Sequence, residues 1–383
     1  MSTVKPRRVK ANDLQKAGGL APFVTSLIKS VESGKDMDAR ATSAMLLHAL
    51  TEQASLDDDV KGSKDKRENS SFILESGAIE PLVSLVASGS SSGQLYALST
   101  LSNLANGRAE TQKRIFDAGG VPKIAACLRG GDAPTQAAAA AAMASVSQLA
   151  ETRVAWVKAN TIPTLVSLLT PNHSVQLQVH AVESLANISR DNHDGQVAMM
   201  RAGAVKLLIA LLDGGKSQEA AALCLQRLAE HSSTNRDEIT ELGGARKLIA
   251  LLGVVNVDVQ AHAAGALAAL ASGEGRTEQQ DLIAKTGGIR PLLALVEGTK
   301  VQPQVEGTKA LAMLARNNPE NQEAIVACAS YTPSQSLPQA PVHHPACTTP
   351  KPRPYPTECL TRVCVARVVQ VRRAHPPAAH YRP

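Results

Sequence analysis

Aromatic residues are nearly missing from this chain. Three Phe, four Tyr and one Trp make up 2% of 383 residues, although 44% of the residues are hydrophobic. Leu, Ala, Val and Ile must therefore build the core, which suits thin helices in close contact better than one thick globular interior. No apolar run reaches the roughly 18 uninterrupted residues that a membrane-spanning helix requires, so no such span is expected. The six cysteines include no C-x-x-C pair, and no secretory signal opens the chain. A reduced, intracellular protein is the expectation. Met1-Ser2 lacks the glycine that N-myristoylation needs. Neither G-x-G-x-x-G after a strand nor G-x-x-x-x-G-K-S/T occurs, and scattered Ser, His and Asp do not establish a triad. His343-His344, Cys347, Cys359 and Cys364 match no closed zinc signature. The chain is expected to be no enzyme and to hold no cofactor or metal.

Positive charge is absent from the body as a net quantity. Residues 331–383 hold seven Lys/Arg against the single acid Glu358, so this tail carries the whole formal charge of +6. Residues 1–330 sum to zero, and steering toward nucleic acid is not expected.

What is present is a repeat. Gly77-Ala78-Ile79-Glu80-Pro81-Leu82 returns as Gly119-Gly120-Val121-Pro122-Lys123-Ile124 and as Asn160-Thr161-Ile162-Pro163-Thr164-Leu165. Gly203-Ala204-Val205, Gly243-Gly244-Ala245 and Gly287-Gly288-Ile289 continue the series, at spacings of 42, 41, 43, 40 and 44. Such a period reads as a helical solenoid. Each unit reads as three helices. In the unit opened by Gly77, a short apolar helix covers 79–86, Gly89–Gly93 turns, a longer helix covers 94–105, and a linking helix covers 110–117. Further long helices are predicted over 137–150, 175–188, 218–229, 259–271 and 305–315. Glycine suits the helix-to-helix turn because it permits positive φ and close approach. Pro81, Pro122, Pro163 and Pro291 lie in a first helical turn, where a missing N–H costs little.

The phrases Gly-Ala-Ile-x-x-Leu-Val-x-Leu-Val at 77–86 and Leu101-Ser102-Asn103-Leu104-Ala105 resemble armadillo repeats. HEAT-type units, whose paired helices give a similar period, are the alternative. The resemblance implies an all-α, right-handed armadillo-type superhelical solenoid of roughly six full repeats. The expected plan is a flexible basic arm at 1–16, a divergent capping repeat at 17–76, the repeat array at 77–330 and a disordered Pro-rich tail at 331–383. The polar stretch 57–67 is expected to be an exposed loop inserted in the cap.

The resemblance also implies that the long third helices line a concave groove, where a late asparagine clamps the backbone of an extended peptide. A carboxamide offers both a donor and an acceptor for this. Asn103, Gln148, Asn187, Arg227, Ala269 and Met313 occupy the matching positions. Nuclear-import receptors of this family place a tryptophan four residues earlier, where this chain has Ser99 and Glu183; its only tryptophan, Trp156, falls in a linking helix. Tyr96, Ser99, His180 and Glu183 are expected on the same groove face. The other reading of Asn103 and Asn187 is that they satisfy local backbone groups and bridge neighbouring units. Arg227, His262 and Lys309 would supply positive charge farther along, for an acidic segment.

The expected function is a cytoplasmic scaffold that binds a protein or extended peptide. A transport or targeting receptor for basic peptides and a structural cytoskeletal component are the alternatives. Lys5-Pro6-Arg7-Arg8-Val9-Lys10 raises the nucleus as a second location. The tail contains eleven of the 21 prolines. It reads either as a segment for an aromatic-lined groove or acidic surface, as an interrupted reading of the array, or as an ordinary flexible tail.

Overall fold

Each glycine-led apolar phrase opens a helix, and the helices come in threes. The computed structural model describes residues 20–33, 36–52 and 62–329, and every regular element among them is an α-helix. The arm 1–16 and the tail 331–383 lie outside the described residues. The chain divides into two units, Met1–Leu207 and Leu208–Pro383.

The first unit begins with α1 (Leu20–Ser33) and α2 (Met37–Glu52). Three triplets follow: α3 (Gly62–Glu75), α4 (Ile79–Ser88) and α5 (Ser91–Ala105); α6 (Ala109–Asp117), α7 (Gly120–Gly130) and α8 (Ala133–Val146); α9 (Ala150–Lys158), α10 (Ile162–Ser167) and α11 (Val175–Ile188). Next come α12 (His193–Arg201) and α13 (Ala204–Leu211), the latter spanning the division. The second unit continues with α14 (Gln218–His231), α15 (Ser233–Glu241), α16 (Gly244–Leu251) and α17 (Val257–Leu270). It ends with α18 (Thr277–Lys285), α19 (Ile289–Glu297), α20 (Val301–Ala315) and α21 (Pro319–Ala329).

The long helices form the spine of each unit. In the first, α2 packs on α5, α5 on α8 and α8 on α11; in the second, α14 packs on α17 and α17 on α20. Leu98, Leu101 and Leu104 of α5 are fully buried. Each such leucine contributes about 1.5–3 kcal/mol relative to exposure. Helix α8 buries Ala138, Ala139, Ala140, Ala142 and Met143, so its neighbours approach its backbone. Ser184 Oγ of α11 donates to the Ala140 carbonyl at 3.1 Å, and Ser102 Oγ of α5 lies 3.1 Å from Ser145 Oγ.

Three of the predicted long helices, α5, α8 and α20, start about a turn earlier than their apolar stripes suggest. Ser90 caps α5 by accepting from Gly93 N, and Asp132 caps α8 by accepting from Thr135 N. A capping side chain satisfies an otherwise orphaned N–H and lets polar residues enter the first turn. The turn expected over 89–93 is therefore shorter, since Ser91–Gly93 belong to α5. The helix expected over 137–150 ends at Val146, and Ala150 opens α9. The loop expected over 57–67 is helical from Gly62 onward, as the first turns of α3; residues 53–61 lie outside the described set.

Turn geometry accounts for the glycines at one representative junction. Gly119 has φ of 70°, and a Cβ on Gly120 would lie 2.7 Å from the Ile115 carbonyl oxygen. At the matching position of the third triplet, Asn160 takes the left-handed conformation at φ of 52°, which asparagine tolerates best after glycine.

A second periodic residue joins the helices of a triplet. Gln94, Gln136, Gln178, Gln218, Gln260 and Gln304 recur at spacings of 42, 42, 40, 42 and 44. Each lies in the first turns of a long helix. Gln94 donates to the Val86 carbonyl at 3.1 Å, Gln178 to Thr170 at 2.6 Å, Gln218 to Leu212 at 2.9 Å and Gln260 to Val254 at 2.8 Å. Gln304 donates to the Gly298 carbonyl. These amides supply donors at the end of the preceding short helix, whose last carbonyls have no partner inside the helix. Linking helices do the same for the long ones: Gln112, Gln196 and Asn235 donate to the carbonyls of Ala105, Ser189 and Leu228.

The close approach at α8 gives a direct test. Ala140→Leu places three extra carbons in a fully buried contact. Overpacking of this kind costs about 1–3 kcal/mol. Thermal unfolding should begin earlier in this variant than in Ala137→Leu, whose site on the same helix is half-buried.

Candidate functional site

The expected positions on α5 and α11 each fall along one face of a long helix. On α5, Tyr96, Ser99 and Asn103 follow helical spacing and so share one face. Tyr96 and Ser99 are half-buried and Asn103 is exposed, while Ala97, Leu98, Leu101 and Leu104 between them are buried. On α11, Gln176, His180, Glu183 and Asn187 form the matching stripe between the buried Val179, Val182 and Ile188. Helix α8 lies between the two and offers only small half-buried side chains there, Ala137 and Ala141.

Helix α2 adds residues that the repeat pattern missed. The His48 and Tyr96 ring centroids are 6.0 Å apart with the planes tilted by 36°. His48 Nε2 lies 3.5 Å from Glu52 Oε2, and His48 Nδ1 lies 3.5 Å from Asn103 Nδ2. Asn103 Nδ2 also donates to Thr51 Oγ1 at 3.1 Å. Burial holds the His48 pKa below its ordinary value, and the nearby Glu52 carboxylate opposes that shift in part. The available signal was Leu47-His48-Ala49-Leu50, which repeats the Leu-x-x-Leu spacing of Leu101–Leu104 inside the divergent first repeat.

On α11, His180 Nδ1 lies 3.2 Å from Glu183 Oε2 and His180 Nε2 lies 2.7 Å from Gln176 Nε2. Asn187 Nδ2 donates to the Ala144 carbonyl of α8 at 2.9 Å. Both asparagines thus bridge to the neighbouring long helix, each through its NH2 group.

Gln148 needs a correction. It lies in the turn after α8, outside the long helix. Gln148-Leu149-Ala150 imitates Asn103-Leu104-Ala105, but the helix has already ended and Ala150 begins the next one. Gln148 is a staple between neighbouring triplets instead. Its Oε1 accepts from Gly107 N at 3.2 Å and from Gln112 Nε2 at 3.0 Å.

Arg227 lies in the second unit, half-buried on α14. Beside it, Gln226 Oε1 is 3.1 Å from His262 Nδ1, and Gln226 Nε2 donates to Glu230 Oε1 at 2.9 Å. Gly265 makes room for this amide, because a Cβ there would lie 2.5 Å from Gln226 Nε2. Burial depresses the His262 pKa, Arg227 adds to the effect, and Asp258 and Glu306 oppose it. Lys309 pairs with Glu306 at 2.7 Å, so the positive charge expected from it is offset. Ala269 is buried and Met313 is half-buried, and neither offers a polar group.

Among the described residues, no three His, Cys, Asp or Glu side chains converge as a metal site would require. No single described helix is long and apolar enough to cross a membrane. Cys127 and Cys224 are buried; desolvation pushes both thiols up, Cys224 to about 12.

The armadillo/beta-catenin-like repeat family matches residues 66–106 and 150–190, which are the triplets α3–α5 and α9–α11. The chain is an armadillo-repeat protein. It is 30% identical over 168 residues to Vacuolar protein 8 of Yarrowia lipolytica, across 43% of this chain and 29% of that protein. It is 28% identical over 196 residues to Vacuolar protein 8 of Schizosaccharomyces pombe, across 51% of this chain and 35% of that protein. The match thus spans well under half of either relative. An engineered protein solved by the Northeast Structural Genomics Consortium is similar in structure, with a TM-score of 0.67 and 26% identity, covering 95% of this chain and 92% of that one. A designed armadillo repeat protein in complex with the peptide (KR)4 shares the fold, with a TM-score of 0.53 and 23% identity over 64% of this chain and 99% of that one. These matches and the helix triplets establish the all-α armadillo-type solenoid fold.

The depressed His48 pKa has a sign that can be tested. Between its folded value and its ordinary value of 6.5, the unfolded chain binds more protons at this residue, so acid favours unfolding. The thermal midpoint should fall as pH drops from about 7.5 to about 5.5, and His48→Gln should flatten part of that slope.

Proposed function

We propose that this armadillo protein is a non-enzymatic scaffold that binds an extended peptide segment of a protein partner. The binding face is the exposed side of α2, α5, α8 and α11 in the first unit. The observation that carries the reading is the flanked floor on this face. Tyr96, Ser99, Asn103 and His48 stand on one side of the small side chains of α8, with His180, Glu183 and Asn187 on the other. An extended segment lying across parallel helices meets one row of side chains after another, and carboxamides can pair with its backbone. The armadillo resemblance supports a groove on this face. Gln148 has no part in this face because it staples a turn. The cytoplasm is the proposed location.

A specific observation favours a cationic segment among the possible ligands. The helices α5 and α8 contain no charged residue, and α11 contains only Glu183. Glu52 on α2 adds a second carboxylate near Tyr96, while Arg40 of α2 is turned to the Val31 carbonyl of α1. The peptide held by the designed armadillo protein alternates Lys and Arg in the same sense. This second reading is a targeting receptor for basic peptides.

Selection of peptides from a random display library against the full chain, followed by fluorescence anisotropy, tests both readings. The selected peptides should lose at least about tenfold in affinity to the combined Tyr96→Ala, Asn103→Ala and Asn187→Ala variant, the effect of about 1.4 kcal/mol. Enrichment of Lys and Arg, with affinity falling in Glu183→Gln, would support the receptor reading. Peptides that bind the combined variant as tightly as the unaltered chain would place recognition on another face.

A further inference from the structure

The turn after α5 holds a reactive pair. Asn106-Gly107 is the one Asn-Gly step in the sequence. Both residues are exposed, and Gly107 has φ of 69°, in the left-handed region. Glycine has no side chain to shield its own nitrogen, so an asparagine followed by glycine is the most open arrangement for attack of the backbone nitrogen on the side-chain amide. In this protein a residue of the next triplet covers that step. Gln148 Oε1 accepts from Gly107 N at 3.2 Å, and Gln148 Nε2 donates to Asn106 Oδ1 at 3.5 Å. Gln148 is itself fixed by Gln112 Nε2, which donates to the same Oε1 at 3.0 Å and also to the Ala105 carbonyl at 2.9 Å.

We infer that Asn106 is a self-deamidation site held in check by Gln148. The reaction needs no catalyst other than water. Gly107 N loses its proton to solvent and attacks Asn106 Cγ, forming an N–C bond and a five-membered succinimide. The Cγ–Nδ2 bond breaks and the nitrogen takes up a proton and leaves as ammonia. Water then opens the ring at either carbonyl and yields aspartate or isoaspartate. A proton engaged by Gln148 is not free to leave, and a side chain tied to Gln148 is not free to turn toward the nitrogen. Both restraints fail together when the Gln148 turn separates from the α5–α6 turn. The site therefore records loosening of that junction as a covalent change.

The product alters the protein where it matters. Asn106 is the C-terminal cap residue of α5, one turn beyond Asn103. A carboxylate there faces the negative end of the helix dipole, an unfavourable placement. Isoaspartate also adds a carbon to the backbone at the turn that leads into α6. Either product weakens the last turn of α5, which presents Asn103.

The test follows deamidation of the full chain at neutral pH by peptide mass spectrometry, with isoaspartyl methyl transfer as a second readout. The unaltered chain, Gln148→Ala and Gln148→Glu are compared, and emission of the buried Trp156 reports whether each variant is folded. Gln148→Ala should deamidate at Asn106 several-fold faster than the unaltered chain while Trp156 stays buried. Gln148→Glu keeps an acceptor for the Gly107 N–H and should fall between them. Urea should raise the rate in the unaltered chain, and Asn106→Gln should abolish the product. Equal rates in the unaltered chain and in folded Gln148→Ala would overturn the inference. Should Gln148→Ala fail to fold, a folded Gln148→Leu, which removes both polar contacts at similar bulk, that reacts no faster than the unaltered chain would overturn it equally.

Discussion

The long helices lie flank to flank, and the rest of each unit depends on that contact. A single triplet leaves part of its apolar surface uncovered, and the neighbouring triplets cover it. At α8 the contact is made by alanine and serine, so backbone meets side chain directly: Ser184 and Asn187 of α11 bond to the carbonyls of Ala140 and Ala144. Bulky residues then have their place only where the stack leaves room, as with the leucines of α5. Small residues inside set the spacing of the helices, and that spacing sets which outward residues stand beside one another.

The same contact explains why the proposed recognition residues double as structural ones. Asn103 and Asn187 each use their NH2 group to hold the previous long helix, and each leaves the carboxamide oxygen for other use. His48 is in similar double employment, since it lies against Tyr96 and beside Glu52 on the exposed face while burial keeps it uncharged near neutrality. A partner that binds here meets side chains already fixed in place. Little rotamer freedom is left to lose on binding, which favours affinity over adaptability.

Much of this was legible in the sequence. The glycine-led phrases and Leu-x-x-Leu-Ala endings located the triplets, because positive φ at turns and a single buried stripe are demands that few residues meet. Helix ends were less legible. Ser90 and Asp132 moved two starts earlier by capping, an effect of one side-chain oxygen that hydrophobic spacing does not register. Gln148 was misplaced because Gln148-Leu149-Ala150 copies the ending of α5 three residues too late. The periodic glutamines from Gln94 to Gln304 were visible at the repeat spacing, but their role needed the geometry of the carbonyls they reach. His48 stayed hidden in a repeat whose neighbouring segment departs from the common length.

Native-state hydrogen exchange of the full chain, read by mass spectrometry, tests the shared stack most directly. If the long helices are stable only through one another, the amides of α5, α8 and α11 should open with one common free energy and lose protection together at rising denaturant. The alanine-rich α8 has no large side chain to anchor it alone, so it is the sensitive element. Exchange of α8 at the rate of its two neighbours is the predicted result. Loss of α8 protection while α5 and α11 remain closed would contradict the account.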